Sequence, residues 1–184
     1  MENKSKSGSA NVVTIAVLAA LTAVLDMFGV FGLPVGILSV SSFYFASAFY
    51  LLFVEVFRWR GAIAIYIGLL LASVFTTGFS VMPLLLAWGN VVCNVFVVGL
   101  MRRLGNDYKC DKVWKAATEV LLLLIAPAIS GLWILGGYVV FGIMPVSALP
   151  AAFFAWWFAG SLVYLIIGIP LMKFVMPLFR RFRL

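Results

Sequence analysis

Residues 82–103 read MPLLLAWGNVVCNVFVVGLMRR, an uncharged run of 20 residues that ends in two arginines. A helix of about 20 apolar residues, rising about 1.5 Å per residue, is long enough to cross the hydrocarbon core of a bilayer. Long apolar runs bounded by basic residues recur along the chain. This pattern predicts a polytopic membrane protein whose basic residues mark one side of the bilayer.

The basic residues are grouped rather than scattered. All 13 lysines and arginines fall into four clusters: Lys4 and Lys6; Arg58 and Arg60; Arg102, Arg103, Lys109, Lys112 and Lys115; and Lys173, Arg180, Arg181 and Arg183. The turns expected between clusters, at 29–41, 76–82 and 142–150, carry no charge. Because basic loops stay in the cytoplasm, we expect six transmembrane crossings in the cell membrane, with both termini cytoplasmic.

Composition sets the fold class. Hydrophobic residues make up 65% of the 184-residue chain and charged residues 10%, more apolar surface than one soluble core could bury. We therefore expect a single all-α membrane domain over residues 1–184, with helices near 12–29, 39–57, 61–76, 82–101, 116–140 and 150–178. Pro170 and Pro177 are expected to kink or shorten the last helix. The net charge of +7 reflects topology and does not indicate nucleic-acid binding.

Several kinds of chemistry lack the residues that they need. The chain has no histidine and no GxxxxGK[ST] loop, which argues against histidine-based catalysis, histidine metal sites and hydrolysis of ATP by a P-loop of its own. Its six acidic residues form no closely spaced motif that would hold Mg²⁺. We therefore expect neither an enzyme nor a cofactor, and predict a role in binding, transport or assembly.

Acidic residues near the basic loops have simple interpretations. Glu55 lies three residues before Arg58, so a pair within one helix would account for it. Glu119 follows Lys112 and Lys115 and has the same interpretation. Asp26 differs, because it is the only acidic residue in the outward half of a predicted span. Either a ligand contact or a hydrogen bond at the outer helix end would explain it.

Asparagines in the fourth predicted helix suggest a polar pocket. Polar side chains in lipid must find partners, and Asn90 and Asn94 are four residues apart on one helix face. A hydrogen bond between helices would account for one of them, whereas two on the same face favour a pocket.

Aromatic and hydroxyl side chains of the last two helices add to this candidate pocket. They are Ser130, Trp133 and Tyr138 near the outer end of the fifth helix, and Trp156, Trp157 and Ser161 in the sixth. Tryptophan and tyrosine near an interface most often anchor a helix in the bilayer. The other interpretation is a pocket in which aromatic rings and amides bind a small planar organic molecule.

The first predicted helix carries a ridge of small residues. Ala16 and Ala20 are four residues apart, as are Ala19 and Ala23. Such ridges let another helix approach closely, most often one of the same protein. With this AxxxA run, the chain resembles the substrate-capture (S) component of energy-coupling factor (ECF) vitamin transporters. The resemblance also includes the size, six spans with both ends inside, GLMRR at 99–103 after the asparagines, and GIPL at 168–171 before basic residues.

The resemblance implies a function and a set of roles. An S component captures a small organic, vitamin-like solute with high affinity at the outer face, and a membrane coupling protein with two P-loop ATPases drives its uptake. Ala16 and Ala20 would dock on the coupling protein, with Ala19 and Ala23 as second choices. The solute would lie among helices four to six, closed in by the 29–41 loop. Its contacts would be Asn90, Asn94, Trp133, Tyr138, Trp156 and Trp157.

The resemblance also narrows the solute. The N-terminal histidine of the metal-specific members is absent, which favours an organic solute. The scarcity of charges near the pocket argues against a highly anionic one. A small polytopic scaffold or assembly protein and a self-contained facilitator are the alternative functions.

Overall fold

The computed structural model describes residues 2–28, 30–31, 43–78, 81–106, 108 and 111–181. Its elements in chain order are α1 (Glu2–Phe28), β1 (Val30–Phe31), β2 (Phe43–Tyr44), α2 (Ala46–Phe57), α3 (Trp59–Thr77), α4 (Val81–Arg103), α5 (Val113–Val140) and α6 (Leu149–Val163). Helix α6 continues through two wider, π-helical segments, Tyr164–Gly168 and Leu171–Val175, into α7 (Met176–Arg181).

Most of these helices have the length and composition of membrane spans. Within the described residues, five helical segments are long and apolar enough to cross a bilayer: Gly8–Phe28, Trp59–Thr76, Pro83–Arg103, Val113–Val140 and Val146–Phe179. Helix α2 is equally apolar but has only 12 residues. These helices confirm the prediction of a multi-pass, α-helical membrane protein.

Helix α2 begins later than the sequence predicted. The predicted span was 39–57, whereas α2 starts at Ala46. Residues 39–42 lie outside the described residues, and Phe43 and Tyr44 pair antiparallel with Phe31 and Val30. A backbone whose polar groups bond to a neighbouring strand cannot also continue a helix. Of the turn expected at 29–41, the structure describes only residues 30 and 31.

The last helix passes through both of its internal prolines. Two π-helical segments flank Pro170, and the helix continues past Pro177 to Arg181. Proline has no backbone N–H to donate to the preceding turn, and wider turns are a common way for a helix to absorb such a defect. The distortion predicted at Pro170 is therefore a local change of helical pitch, and the helix does not end there.

Close contacts at glycines hold the bundle together. Helix α1 packs mainly on α3, α4 packs on α3 and α5, and α6 packs on α5. A Cβ on Gly68 of α3 would lie 2.5 Å from the carbonyl oxygen of Ala19, and a Cβ on Gly160 of α6 would lie 2.6 Å from the Cβ of Pro127. Only glycine fits at either position. Small residues of this kind are how membrane helices gain van der Waals contact with one another.

The two alanine pairs of α1 have different surroundings. Ala19 is 3% exposed and lies in the contact with α3, and Ala23 is half-buried. Ala16 and Ala20 are exposed on the surface of the bundle. Within the described residues, the Ala16–Ala20 ridge is therefore not used to pack this chain's own helices.

A buried ion pair joins the basic ends of α2 and α4. The side chain of Glu55 is 3% exposed, and its Oε2 accepts a hydrogen bond from Arg102 Nε at 3.0 Å. Arg102 Nη2 also donates to the main-chain oxygen of Glu55. The sequence predicted Arg58 as the partner of Glu55, but α4 ends beside α2 and brings Arg102 closer. The hydroxyl of Tyr108 donates to the same carboxylate at 3.3 Å. Burial, followed by the charge of Glu55, raises the pKa of Tyr108, which keeps this donor protonated.

Candidate solute-binding site

A small cavity lies where the start of α2 meets the middle of α4, α5 and α6. The described residues that line it carry no formal charge, and they are Tyr44, Ser47, Asn90, Pro127, Ser130, Trp156, Gly160 and Tyr164. Its volume of about 20 Å³ has room for roughly one water molecule. Asn90 lies 12 residues before Arg102 in α4, a distance of about 18 Å along the helix. The cavity is therefore far from the basic ends of the helices.

The two asparagines of α4 have different roles. Asn94 Nδ2 donates to the carbonyl oxygen of Asn90 at 2.8 Å, and Asn90 Nδ2 donates to that of Leu86 at 3.0 Å. Asn94 Oδ1 accepts a 3.1 Å hydrogen bond from the hydroxyl of Tyr164, so Asn94 links α4 to the last helix. Asn90 Oδ1 accepts no hydrogen bond from the described residues. Asn90 thus offers an unused acceptor on the cavity wall.

Trp156 forms the wall contributed by α6. Its Nε1 donates to Ser130 Oγ at 3.2 Å, and Ser130 Oγ donates to the carbonyl oxygen of Pro127 at 3.2 Å. A Cβ on Gly131 would lie 2.9 Å from Cδ1 of Trp156, so the glycine gives the indole ring room to pack on α5. A serine and a glycine in α5 together set the position of the ring.

Tyr44 connects the α2 side of the cavity to α1. Its hydroxyl donates to Asp26 Oδ1 and lies 2.7 Å from the hydroxyl of Tyr50. A phenol has one proton to donate, and Tyr44 gives its proton to Asp26, so Tyr50 is the donor of the second bond. The two tyrosine rings meet edge to face, with centroids 5.9 Å apart. Asp26 therefore supports the cavity wall through Tyr44.

Four of the predicted site residues lie away from the described cavity wall. Trp157 Nε1 donates to the carbonyl oxygen of Leu124 at 2.9 Å. Ser161 is buried, and its hydroxyl has no hydrogen-bond partner among the described residues. Tyr138 does not line the cavity and packs against an apolar cluster of Leu135, Met144 and Ala152 near the start of α6. Trp133 is 47% exposed and lies against Gly89 on the surface between α4 and α5.

The structure thus separates the predicted residues into three groups. Asn90, Ser130 and Trp156 line the cavity. Asp26 and Asn94 contact residues that line it. Trp133, Tyr138, Trp157 and Ser161 are not among the residues that line it. The predicted closing loop at 29–41 lies outside the described residues except for residues 30 and 31.

Sequence reasoning did not assign Tyr44, Ser47 or Tyr164 to the site. Tyr164 had a usable signal, because it lies eight residues after Trp156, about two helical turns further along the same row of side chains. Tyr44 and Ser47 had none, because they lie at the predicted outer end of a span, where tyrosine and serine are ordinary residues. The hydrogen bond from Tyr44 to Asp26 connects positions 18 residues apart, and sequence periodicity does not predict such pairs.

The chain matches no known protein family, no curated protein and no solved structure. Its candidate site is therefore defined by geometry alone.

Proposed function

We propose that this chain is the solute-binding membrane subunit of an ECF-type importer. In this proposal it captures a small organic, vitamin-like solute at the outer face, and a membrane coupling protein with two P-loop ATPases drives uptake. The observation that carries the proposal is the small cavity to which α2, α4, α5 and α6 all contribute polar or aromatic groups. A membrane protein that only needed to pack its helices would gain little from gathering such groups at one point.

The proposed topology has six crossings of the cell membrane, with both termini cytoplasmic. Helix α2, together with the residues before it, would make the second crossing. The support is the distribution of charge: Arg58 and Arg60 follow α2, and Arg102 and Arg103 end α4. Asn90 is about 18 Å along α4 from the first arginine of that pair, so in this topology the cavity would lie in the outer half of a core about 30 Å thick.

The chemistry of the cavity wall suggests the kind of solute. Asn90 Oδ1 is an acceptor without a partner among the described residues, Ser47 and Ser130 supply hydroxyls, and Trp156 supplies an aromatic face. These groups suit a neutral, planar molecule with at least one N–H or O–H donor. Known ligand pockets hold about 300–1,000 Å³, so binding requires wall residues to move. Trp156 is a good candidate for such a movement, because its indole N–H is held by one side-chain hydrogen bond, to Ser130.

The proposed docking surface for the coupling protein is the exposed Ala16–Ala20 ridge of α1. Ala19 packs on α3, and a larger side chain there would disturb this chain's own fold. Ala16 and Ala20 are exposed, so larger residues at these two positions would affect only a partner that approaches closely.

Adjacent tryptophans give a matched test of solute capture. The protein would be purified in mild detergent from cells grown in rich medium and then denatured, and the released small molecules would be identified by mass spectrometry. We expect the wild-type protein to release one organic compound in near-equimolar amount. Trp156→Leu should release at least tenfold less, because an aromatic contact with its buried area contributes roughly 1.5–3 kcal/mol. Trp157→Leu, which loses a similar side chain outside the cavity, should release the wild-type amount.

Two results would contradict the proposal. One is a wild-type protein that releases no compound above the background of a control membrane protein. The other is an equal loss of the compound in both tryptophan variants, which would point to lost stability and not to a contact in the cavity.

A further inference from the structure

A groove larger than the candidate solute cavity runs along α2, α3 and α4 on the exterior of the helix bundle, away from that cavity. We call it the lateral groove; its volume is about 510 Å³, within the roughly 300–1,000 Å³ of known ligand sites. Its lining is almost entirely apolar or aromatic, and the charged residues among its described lining are Arg58 and Arg102. Both arginines lie at the basic end of the helices. The groove is therefore cationic at that end and apolar along the rest of its length.

The length of the groove matches the depth of a membrane leaflet. Along α4 the lining runs from Trp88 to Arg102, a separation of 14 residues, or about 21 Å. One leaflet is about 20–22 Å deep including its headgroups, of which about 15 Å is hydrocarbon. Val91, Val95 and Val98 form an apolar stripe along this path. A Cβ on Gly99 would meet no atom within 4 Å, so the groove has open space beside this stripe.

At the cationic end of the groove, the positive charges outnumber the negative ones. Arg102 is paired with Glu55 at 3.0 Å. Arg58 is exposed and forms no ion pair with a carboxylate of the described residues. Next to it, the guanidinium of Arg60 lies 5.7 Å from the centre of the Trp59 ring. The net charge of these groups is positive, as a bound anion requires.

The backbone at Arg58 is unusual in the same place. Its φ of 56° and ψ of −128° lie in a region that favours glycine and is strained for any residue with a Cβ. This single residue separates α2, which ends at Phe57, from α3, which begins at Trp59. Glycine would relieve the strain but would remove the guanidinium from the end of the groove.

We propose that the lateral groove binds one anionic phospholipid, with an acyl chain along the apolar stripe of α4 and the phosphate at Arg58 and Arg102. Basic pockets between membrane helices are known sites for anionic headgroups. A lipid has the required apolar length and terminal negative charge in one molecule. A transmembrane helix of a partner protein would fit only if it carried an acidic residue at the level of the arginines. The inference does not depend on the proposed transport function.

The test is native mass spectrometry of the purified full-length protein with added lipid. The probes are phosphatidylglycerol and phosphatidylcholine with identical acyl chains. We expect the wild-type protein to bind phosphatidylglycerol about fivefold more tightly. Arg58→Gln should abolish this preference. Lys173→Gln, which removes one charge from the basic part of the last helix, should keep it.

A second pair of variants tests the apolar part of the groove. Gly99→Leu fills the open space beside α4 and should lower binding of both lipids at least fivefold. The substitution should not destabilise α4, because leucine has a higher helix propensity than glycine. Gly136→Leu is the matched control, because a Cβ there also meets no atom within 4 Å and Gly136 does not line the groove. Equal affinity of the wild-type protein for both lipids would overturn the proposal. So would an equal effect of Arg58→Gln and Lys173→Gln, or a co-purified polypeptide that occupies the groove and excludes lipid.

Discussion

Replacing Tyr44 with phenylalanine removes one hydroxyl group and, with it, two hydrogen bonds. The hydroxyl donates to the carboxylate of Asp26 on α1 and accepts from the hydroxyl of Tyr50 on α2. Tyr44→Phe thus breaks the connection between α1 and the cavity wall. Tyr50→Phe removes the bond between the two phenols and a weaker interaction of Tyr50 with Asp26, but leaves Asp26 with Tyr44 as its donor.

The structure gives different magnitudes for the two variants. A hydrogen bond to a charged group contributes about 1.5–3 kcal/mol and one between neutral groups about 0.5–1.5 kcal/mol. Tyr44→Phe should therefore lower the free energy of unfolding by about 2–4 kcal/mol, and Tyr50→Phe by about 1 kcal/mol. For a chain of this size, each 1 kcal/mol corresponds to roughly 2–4 °C in Tm. The expected falls in Tm are roughly 5–15 °C and roughly 2–4 °C.

The assay is thermal unfolding of the purified protein in detergent, followed by intrinsic fluorescence. Tyr66→Phe is the matched control, because the Tyr66 ring packs edge to face on Trp88 while its hydroxyl makes no hydrogen bond with the described residues. Its Tm should change by less than about 2 °C. The reasoning is refuted if Tyr44→Phe lowers Tm no more than Tyr66→Phe does, or if Tyr50→Phe is the more damaging of the two network variants.

Two further stability predictions concern helix contacts. Arg102→Gln should destabilise the fold by roughly 3–5 kcal/mol, because the buried Glu55 carboxylate loses its ion pair with Arg102. In thermal unfolding, the double variant with Glu55→Gln should recover part of this lost stability. A double variant as unstable as Arg102→Gln alone would contradict the prediction. Gly68→Ala should lower the free energy of unfolding by roughly 1–3 kcal/mol, because its Cβ would lie 2.5 Å from the Ala19 carbonyl oxygen. Gly136→Ala has open space and should be neutral or slightly stabilising; equal destabilisation by both alanines would contradict the close approach of α1 and α3.

The positions of the helices follow well from the sequence. Apolar stretches between basic clusters and uncharged turns predicted six helices, and the structure has a helix at each predicted position. The physical reason is that a span needs about 20 apolar residues, so each apolar stretch is only long enough for its helix to form in nearly one position. The predicted start of α2 was wrong at residues 43 and 44, because Phe43 and Tyr44 form a strand pair with Phe31 and Val30. Such pairing depends on contacts distant in sequence.

The candidate site was only partly predictable. Asn90, Ser130 and Trp156 could be named because polar groups within apolar runs are conspicuous. The rotation of α6 about its axis decides which of the two adjacent tryptophans reaches the cavity. Trp156 lines the cavity, whereas Trp157 donates a hydrogen bond to the carbonyl oxygen of Leu124 on α5. The helix's own sequence does not specify this rotation, because α6 is apolar on every side. The ECF resemblance, the solute and the partner proteins stay predictions.

A pull-down of the tagged protein from native membranes in mild detergent, with mass spectrometry of the co-purified proteins, tests the importer proposal most directly. The account predicts that a second polytopic membrane protein and P-loop ATPases co-purify with the wild-type protein. Recovery should fall at least tenfold when Ala16 and Ala20 are both changed to leucine, since overpacking a close helix contact costs about 1–3 kcal/mol per site. The same change at Ala117 and Ala151, exposed alanines of α5 and α6, should not reduce recovery. Absence of ATPases from the wild-type sample, or equal loss from both double variants, would contradict the account and favour a scaffold or a self-contained facilitator.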